Sequence, residues 1–178
     1  MSVTTDLLVQ YARYHRDPRN IATHYIGIPL IVFAIGVLLA RLRFELGGLS
    51  VGAELLVWLL GAAWYLRQGV TAITLATLVA TGVLFALAQP FGQAPLIPWL
   101  AVGLGSFFVG WVFQFVGHYW EGRKPAFVDD LRGLLVGPMF VVAELWFAVG
   151  GGKALHAHIV REAGPVARQT PRRASHAG

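Results

Sequence analysis

The chain has 178 residues, of which 56% are hydrophobic and only 13% are charged, and its mean hydropathy is +0.62. This composition excludes an ordinary soluble domain and predicts a protein embedded in lipid. The net charge of +5 does not indicate nucleic-acid binding, because the basic residues are scattered rather than interleaved with aromatic side chains on one face. With no cysteine in the sequence, disulfides and thiolate metal ligands are also excluded.

The first element is a short helix that ends in a bend. Residues 5–15 carry apolar side chains at helical spacing, which predicts an amphipathic N-terminal helix lying at the membrane interface. Asp17-Pro18 should end this helix, because a residue before proline is pushed out of the helical conformation and proline suits the first turn of a new helix. The bend would allow His15 and His24, nine residues apart, to converge.

Five apolar segments follow, each approaching the roughly 20 residues that a helix needs to cross a bilayer. They are residues 23–40, 49–66, 70–88, 99–116 and 131–149. Glycine is abundant in them, and small residues let membrane helices pack closely. We therefore predict an all-α fold, a polytopic integral membrane helical bundle that forms a single domain over residues 1–162. Residues 163–178 are predicted to be a mobile basic tail.

The basic residues predict how the bundle is oriented. If each segment crosses once, seven Lys and Arg residues lie on the side that carries the candidate histidines, against Arg41 and Arg43 opposite. By the positive-inside bias, the histidine face is cytoplasmic. A fifth full crossing would carry the five basic residues that follow this segment to the other side and cancel the bias; they are Lys153, Arg161, Arg168, Arg172 and Arg173. Because Gly137-Pro138 interrupts the fifth segment, we predict that this segment is re-entrant or interfacial. The number of full membrane crossings is left at four or five.

Polar residues gather at the margins of two apolar segments. His24 stands where the first segment begins, and His118 stands just after the fourth, where ionisable groups are costly and indicate a functional site. Asn20 shares a helix face with His24 and is expected to support its imidazole. Gln114, His118 and Glu121 form a polar stripe, and the three-residue step from the histidine to the carboxylate resembles the spacing used by carboxylate-bridged metal sites in helix bundles. Glu121 is expected to orient a ligand histidine or, alternatively, to bind the metal directly.

A combination of short motifs runs through the chain. Its residues are Tyr14-His15, Pro18, Asn20, His24 and Pro29, then Gln114 to His118, Glu121, Pro125-Ala126, Asp130, Pro138 and Glu144. In this combination the chain resembles the family of fungal and bacterial membrane proteins typified by the yeast 2-hydroxy-fatty-acid dioxygenase. The resemblance implies an enzyme that depends on ferrous iron, Fe(2+), and uses O2 to shorten 2-hydroxy fatty acids by one carbon in alpha-oxidation.

The resemblance also implies the metal ligands. His15, His24 and His118 match the family's iron-binding motifs, and His158 is the candidate for a fourth ligand, with His156 as its near neighbour. Neutral imidazoles suit iron among several first-row metals.

The same resemblance places a lipid substrate in the bundle. The acyl chain would lie between apolar helices, with its polar head near Gln114. A cation would hold the substrate carboxylate, and the candidates are Arg13, Arg16, Arg123 and Lys124. The family is found in the endoplasmic reticulum in fungi, whereas the excess of arginine over lysine in this chain favours a bacterial source and its inner (plasma) membrane.

Two other function classes fit the same residues. Two histidines on facing helices would ligate haem axially in a membrane electron carrier. Alternatively, the polar stripes would line a cavity in a non-catalytic lipid-binding or transport protein.

Overall fold

The computed structural model describes residues 2–168, and this part of the chain is helical almost throughout. Its helices are α1 (Val3–Ala12), α2 (Pro18–Ala40), α3 (Ala53–Gln68), α4 (Ala72–Ala88), α5 (Leu96–Glu121), α6 (Gly133–Ala148) and α7 (Lys153–Ala163). Strands β1 (Arg43–Leu46) and β2 (Leu49–Gly52) form an antiparallel hairpin between α2 and α3. Short 3-10 turns at Gln89–Gln93 and Ala126–Val128 precede α5 and α6.

Three helical stretches are long and apolar enough to cross a membrane. They are Pro18–Ala40, Ala72–Gln93 and Leu96–Glu121, and the pair formed by α6 and α7 passes the same test only as a span bent by 117°. These stretches support the predicted helical membrane bundle, with one correction to the all-α expectation. The second apolar segment begins as strand β2, because Gly47 and Gly48 turn the chain sharply with φ of +58° and +84°. As a result α3 has only 16 residues, shorter than a typical membrane crossing, yet it leads from the hairpin back to the end of the bundle that carries the histidines.

The predicted bend before α2 is confirmed. Helix α1 ends at Ala12, and Asp17 begins α2 by accepting a hydrogen bond from the backbone N–H of Arg19 at 2.9 Å. Pro18 occupies the first turn of α2, where its missing N–H costs nothing. Residues 13–17 therefore form a turn that carries His15 back toward α2.

Helices α2 and α5 form the closest packed pair of the bundle. Gly103, Gly110 and Gly117 recur every seven residues along α5, and each lies against α2. A Cβ atom on Gly110 would lie 2.8 Å from the carbonyl oxygen of Gly27. Because small residues allow such close approach, this line of glycines, which we call the glycine seam, determines how residues on α2 and α5 face each other.

Helices α1, α6 and α7 pack together on the ends of α2, α3 and α4 that lie nearest the histidines. Their shared core includes Leu8 of α1, Phe140 of α6 and Ile159 of α7, together with Tyr65 and Ile73. The predicted N-terminal helix is therefore present as α1, and its apolar residues other than Val3 are buried against protein.

The fifth apolar segment turns back at a different place from the one predicted. Helix α6 continues through Pro138, and the bend lies between α6 and α7, where Gly150 and Gly152 have φ of +82° and +57°. Beyond α7, the backbone N–H of Ala167 donates a 2.9 Å hydrogen bond to the carbonyl of Arg16. The first residues of the predicted tail therefore lie against the turn that carries His15, and the rest of the tail lies outside the described residues.

Candidate metal centre

Three buried histidines meet at one end of the bundle. His15 comes from the turn before α2, His24 from the second turn of α2, and His118 from the last turn of α5. One potential ligand atom of each ring lies within 4.8 Å of those of the other two, and the residues are at most 5% exposed. We call these residues the histidine triad. The structure thus brings together three of the four histidines that the sequence analysis singled out.

Backbone hydrogen bonds determine which ring nitrogens of the triad carry protons. Nδ1 of His15 donates to the carbonyl of Tyr11 at 2.7 Å, and Nδ1 of His24 donates to the carbonyl of Asn20 at 2.8 Å. Because a carbonyl only accepts, the Nε2 atom of each neutral ring carries a lone pair. The two Nε2 atoms lie 3.0 Å apart. Two lone pairs at this distance repel each other unless a cation lies between them.

The donor set of the triad fits a metal ion. Burial, followed by the proximity of His24 and His118, lowers the pKa of His15 well below its ordinary range, which disfavours a proton as the bridging cation. Nδ1 of His118 is buried and has no hydrogen-bond partner among the described residues. Metal–nitrogen bonds of about 2.1 Å would separate two nitrogens at right angles by about 3.0 Å. The separation of the two Nε2 atoms therefore suits a transition metal such as iron.

Glu121 links the two parts of the chain that carry the triad. Its carboxylate accepts hydrogen bonds from the backbone N–H of Arg16 at 2.9 Å and of Asp17 at 2.8 Å, and from the side-chain amide of Asn20 at 3.0 Å. It therefore anchors the turn of His15 to the end of α5, which carries His118. The expected contact between Glu121 and a histidine ring is absent among the described residues, because backbone and amide N–H groups occupy both carboxylate oxygens.

Asn20 also supports the triad in a different way from the one expected. Its backbone carbonyl, rather than its side chain, accepts the hydrogen bond from His24. Its side-chain amide binds Glu121 and, at 3.3 Å, the carbonyl of Tyr14. Asn20 and Glu121 are therefore positioning residues for the triad.

An apolar cavity of about 260 Å³ extends from the triad between α2, α5 and α6. His118 and Gln114 form polar parts of its lining, and apolar side chains such as Ile31, Ile35 and Phe107 line the rest. Nε2 of Gln114 is buried without a hydrogen-bond partner among the described residues, which leaves its N–H groups unsatisfied. The dimensions and lining suit an apolar chain with a polar head at the histidine end.

Comparison with known proteins agrees with this arrangement. A family model described as 2-hydroxy-palmitic acid dioxygenase Mpo1-like matches residues 1–149. The chain belongs to this family. It is also 31% identical over 144 residues to the 2-hydroxy-palmitic acid dioxygenase MPO1 of Saccharomyces cerevisiae, an alignment that covers 79% of this chain and 78% of the yeast protein. No solved structure matches the chain significantly. The resemblance stated from the motifs is confirmed.

The Mpo1-like match contains the whole triad but ends before α7, which carries the other two candidate histidines. The structure does not bring His158 to the triad: its Nδ1 lies 3.0 Å from Nη2 of Arg161 and accepts a hydrogen bond from it. His156 stacks on Phe147 with ring centroids 4.7 Å apart. The bend at Gly150 and Gly152 sets the direction of α7, which the sequence analysis did not anticipate.

None of the four basic candidates of this Mpo1-like chain lines the cavity, and three of them have partners elsewhere. Arg16 is buried, and its side chain donates to the carbonyls of His15 at 2.8 Å and Gly164 at 2.9 Å. Arg123 donates to the carbonyl of Arg13, and Lys124 pairs with Asp129. Of the residues expected to contact the substrate, only Gln114 lines the cavity.

Four cavity-lining aromatic residues, Tyr11, Phe107, Trp111 and Phe127, were missed by sequence analysis. Tyr11 also stacks on His15, with ring centroids 4.1 Å apart and planes 6° apart, while Trp111 and Phe127 contact each other. In an apolar sequence, an aromatic side chain facing a cavity gives the same signal as one facing lipid. The helical spacing of Tyr11 and His15 was the one usable signal, since residues four apart share a helix face.

Proposed function

We propose that this Mpo1-like protein is an Fe(2+)-dependent dioxygenase that shortens 2-hydroxy fatty acids by one carbon. The observation that carries the proposal is the cluster of three imidazoles, one of which, His118, lines the polar end of an apolar cavity. The names of the matching family and of the yeast relative support the substrate class and the type of reaction.

Different described residues would bind the metal and the substrate. His15, His24 and His118 would hold a ferrous ion, which supplies redox chemistry for dioxygen and a Lewis acid for the hydroxy acid head. Gln114 would donate its free amide N–H to an oxygen of that head. Apolar side chains such as Ile31 would hold the acyl chain and keep water from the reacting end.

The spacing within the triad favours this function over a haem carrier. Axial ligands of a haem stand on opposite faces of the macrocycle, whereas the Nε2 atoms of His15 and His24 lie 3.0 Å apart. A non-catalytic lipid carrier would not require the Nε2 lone pairs of two histidines to face each other near the end of its cavity.

We further propose that the triad lies at the cytoplasmic face of the membrane, the inner membrane if the source is bacterial. The seven basic residues of the segments around the triad outnumber Arg41 and Arg43 at the hairpin end, and the bend after α6 adds those of α7 to the first group.

Anaerobic reconstitution with ferrous iron, followed by an oxygen-uptake assay with 2-hydroxypalmitate, tests the function. We expect about one iron per chain and oxygen uptake that requires the 2-hydroxyl group, with palmitate as the inactive control substrate. His24→Ala and His118→Ala should lose the iron and the activity but stay in the membrane, since packing rests on other residues. His156→Ala is the matched control and should retain both, as should His158→Ala. Full oxygenase activity in His24→Ala would overturn the ligand assignment, and iron binding without oxygen uptake would refute the proposed reaction.

A further inference from the structure

A second cavity lies between α3 and α4, at the end of the bundle away from the triad. It has a volume of about 240 Å³, and its polar lining consists of Glu54, Trp58 and Gln89. Leu55 and Phe85 contribute apolar surface. Neither the proposed reaction nor the triad uses these residues.

Two buried polar atoms of this cavity lack partners. Glu54 is 4% exposed, and neither its Oε2 atom nor Nε1 of Trp58 has a hydrogen-bond partner among the described residues. Burying such groups unpaired is costly, and native structures usually supply a partner. The two residues are four apart on one face of α3. One offers an acceptor and the other a donor, so a ligand with a cationic donor and an anionic acceptor is complementary to the pair.

A basic residue lines an adjoining cavity that shares Gln89 with this one. Gln89 also lines a neighbouring cavity of about 280 Å³ together with Arg43, so the two cavities adjoin. Nε and Nη2 of Arg43 each donate a 2.8 Å hydrogen bond to Ser50, which holds the guanidinium in place on the hairpin. A guanidinium matches the oxygen geometry of a phosphate.

We propose that this end of the bundle binds the zwitterionic headgroup of an ethanolamine phospholipid. The ammonium group would lie beside Glu54 and supply the missing donor, while the phosphate would lie between Trp58 and Arg43 and accept from them. The site lies where α2 ends and where α4 ends, both within stretches long enough to cross a membrane. Such helix ends lie at the depth of the lipid headgroups. The inference is independent of the metal centre and of the proposed reaction.

Native mass spectrometry of the detergent-purified protein, titrated with dioleoyl-phosphatidylethanolamine or dioleoyl-phosphatidylglycerol, tests the site. We expect one ethanolamine lipid per chain, bound more tightly than the glycerol lipid, which carries no ammonium. Glu54→Gln should weaken binding of the ethanolamine lipid about tenfold or more, because the ammonium loses its negatively charged partner. Glu45→Gln, which removes the same charge from the exposed hairpin at this end, is the matched control and should bind as the unsubstituted chain does.

Trp58→Phe provides a second measurement that does not depend on Glu54→Gln folding well. It keeps an aromatic side chain but removes the N–H, and we expect a loss of affinity of about threefold to tenfold. Equal affinity of the unsubstituted chain for the two lipids would overturn the proposal, as would unchanged binding of the ethanolamine lipid in both variants. Water-soluble glycerophosphoethanolamine distinguishes the source of the ligand: competition with the lipid shows that the headgroup alone suffices. Failure to compete, with the dependence on Glu54 retained, assigns the site to the intact lipid.

Discussion

At the scale of single residues, two backbone carbonyls prepare the metal centre. Tyr11 and Asn20 each stand four residues before a triad histidine, and their carbonyls hold the Nδ1 protons of His15 and His24. Each ring is thereby fixed in the tautomer that presents Nε2 as a ligand atom. The two lone pairs face each other before any ion binds, so the site is prepared for a cation by local geometry.

The carboxylate of Glu121 gives a residue-scale prediction. In Glu121→Gln, the amide has one acceptor oxygen for the N–H groups of Arg16, Asp17 and Asn20, so the turn of His15 should loosen. We expect a loss of about 1–3 kcal/mol of stability and an iron affinity that falls about 10- to 100-fold. Thermal unfolding in detergent and iron titration measure the two effects.

Glu45→Gln serves as the control for Glu121→Gln, because it removes an exposed carboxylate far from the triad. Unchanged iron affinity in Glu121→Gln would show that the turn of His15 is held without this carboxylate.

At the scale of elements, the glycine seam brings the triad together. Gly117 lies one residue before His118 and packs on Asn20 and Thr23, next to His24. Since any Cβ at these positions would push α2 and α5 apart, the close approach of the helices and the convergence of their histidines have one cause.

Substitution within the glycine seam tests this link. Gly110→Leu should destabilise the protein by about 1–3 kcal/mol through overpacking and should also lower its iron content, because α2 and α5 would separate. Gly105→Leu is the matched control on the same helix, since no atom lies within 4 Å of a Cβ placed there. Iron content and thermal unfolding are measured for both variants. Full iron content in Gly110→Leu would show that the metal centre does not depend on the glycine seam.

The far end of the cavity gives a second prediction at this scale, one that rests on the proposed function. Ile35 and Phe107 each lie eleven residues from the triad histidine of their own helix, roughly 16 Å along the helix axis. Ile35→Trp should shorten the cavity and lower kcat/KM for 2-hydroxypalmitate about tenfold, the equivalent of roughly two buried methylene groups. Activity with 2-hydroxylaurate should change little.

The control for the shortened cavity is Ile26→Trp, which places the same side chain on the exposed face of α2. Kinetic assays across a series of 2-hydroxy acids distinguish the two variants. A parallel loss of activity at every chain length in Ile35→Trp would contradict the assignment of Ile35 to the end of the acyl site.

At the scale of the whole molecule, both ends of the described chain lie on the triad side. Helix α1 packs with α6 and α7, and Ala167 is hydrogen-bonded to Arg16. The hairpin of β1 and β2 lies at the opposite end, between α2 and α3. The layer formed by α1, α6 and α7 therefore covers the ends of the bundle nearest the triad.

This arrangement predicts the membrane topology. In a bacterial host, alkaline phosphatase fused after residue 168 should be inactive and a fluorescent protein at the same position should be bright, because the C-terminal end returns to the cytoplasmic side with the triad. Phosphatase inserted after Gly47 in the hairpin is the matched control and should be active. An active phosphatase at the C-terminal position would refute the shared face.

The sequence by itself determined those features that depend on residues close together in the chain. Its composition and apolar segments indicated membrane helices, Asp17-Pro18 located the bend, and the motifs around His24 and His118 identified the family. These signals are local, because proline conformation and segment hydropathy act within a few turns of chain. The hairpin was missed because a strand within an apolar run cannot be distinguished from a helix by composition. The glycine bend after α6 was missed because Gly137-Pro138 gave a stronger local signal for a break in the segment.

Only the tertiary structure decided which distant groups meet. It brings His15, His24 and His118 together without His158. The oxygens of Glu121 accept hydrogen bonds from backbone N–H groups. Gln114 lines a cavity that none of the four basic candidates lines. These outcomes depend on the close approach of α2 to α5 and on the direction of α7. Both arise from packing between residues far apart in the chain, which no local pattern encodes.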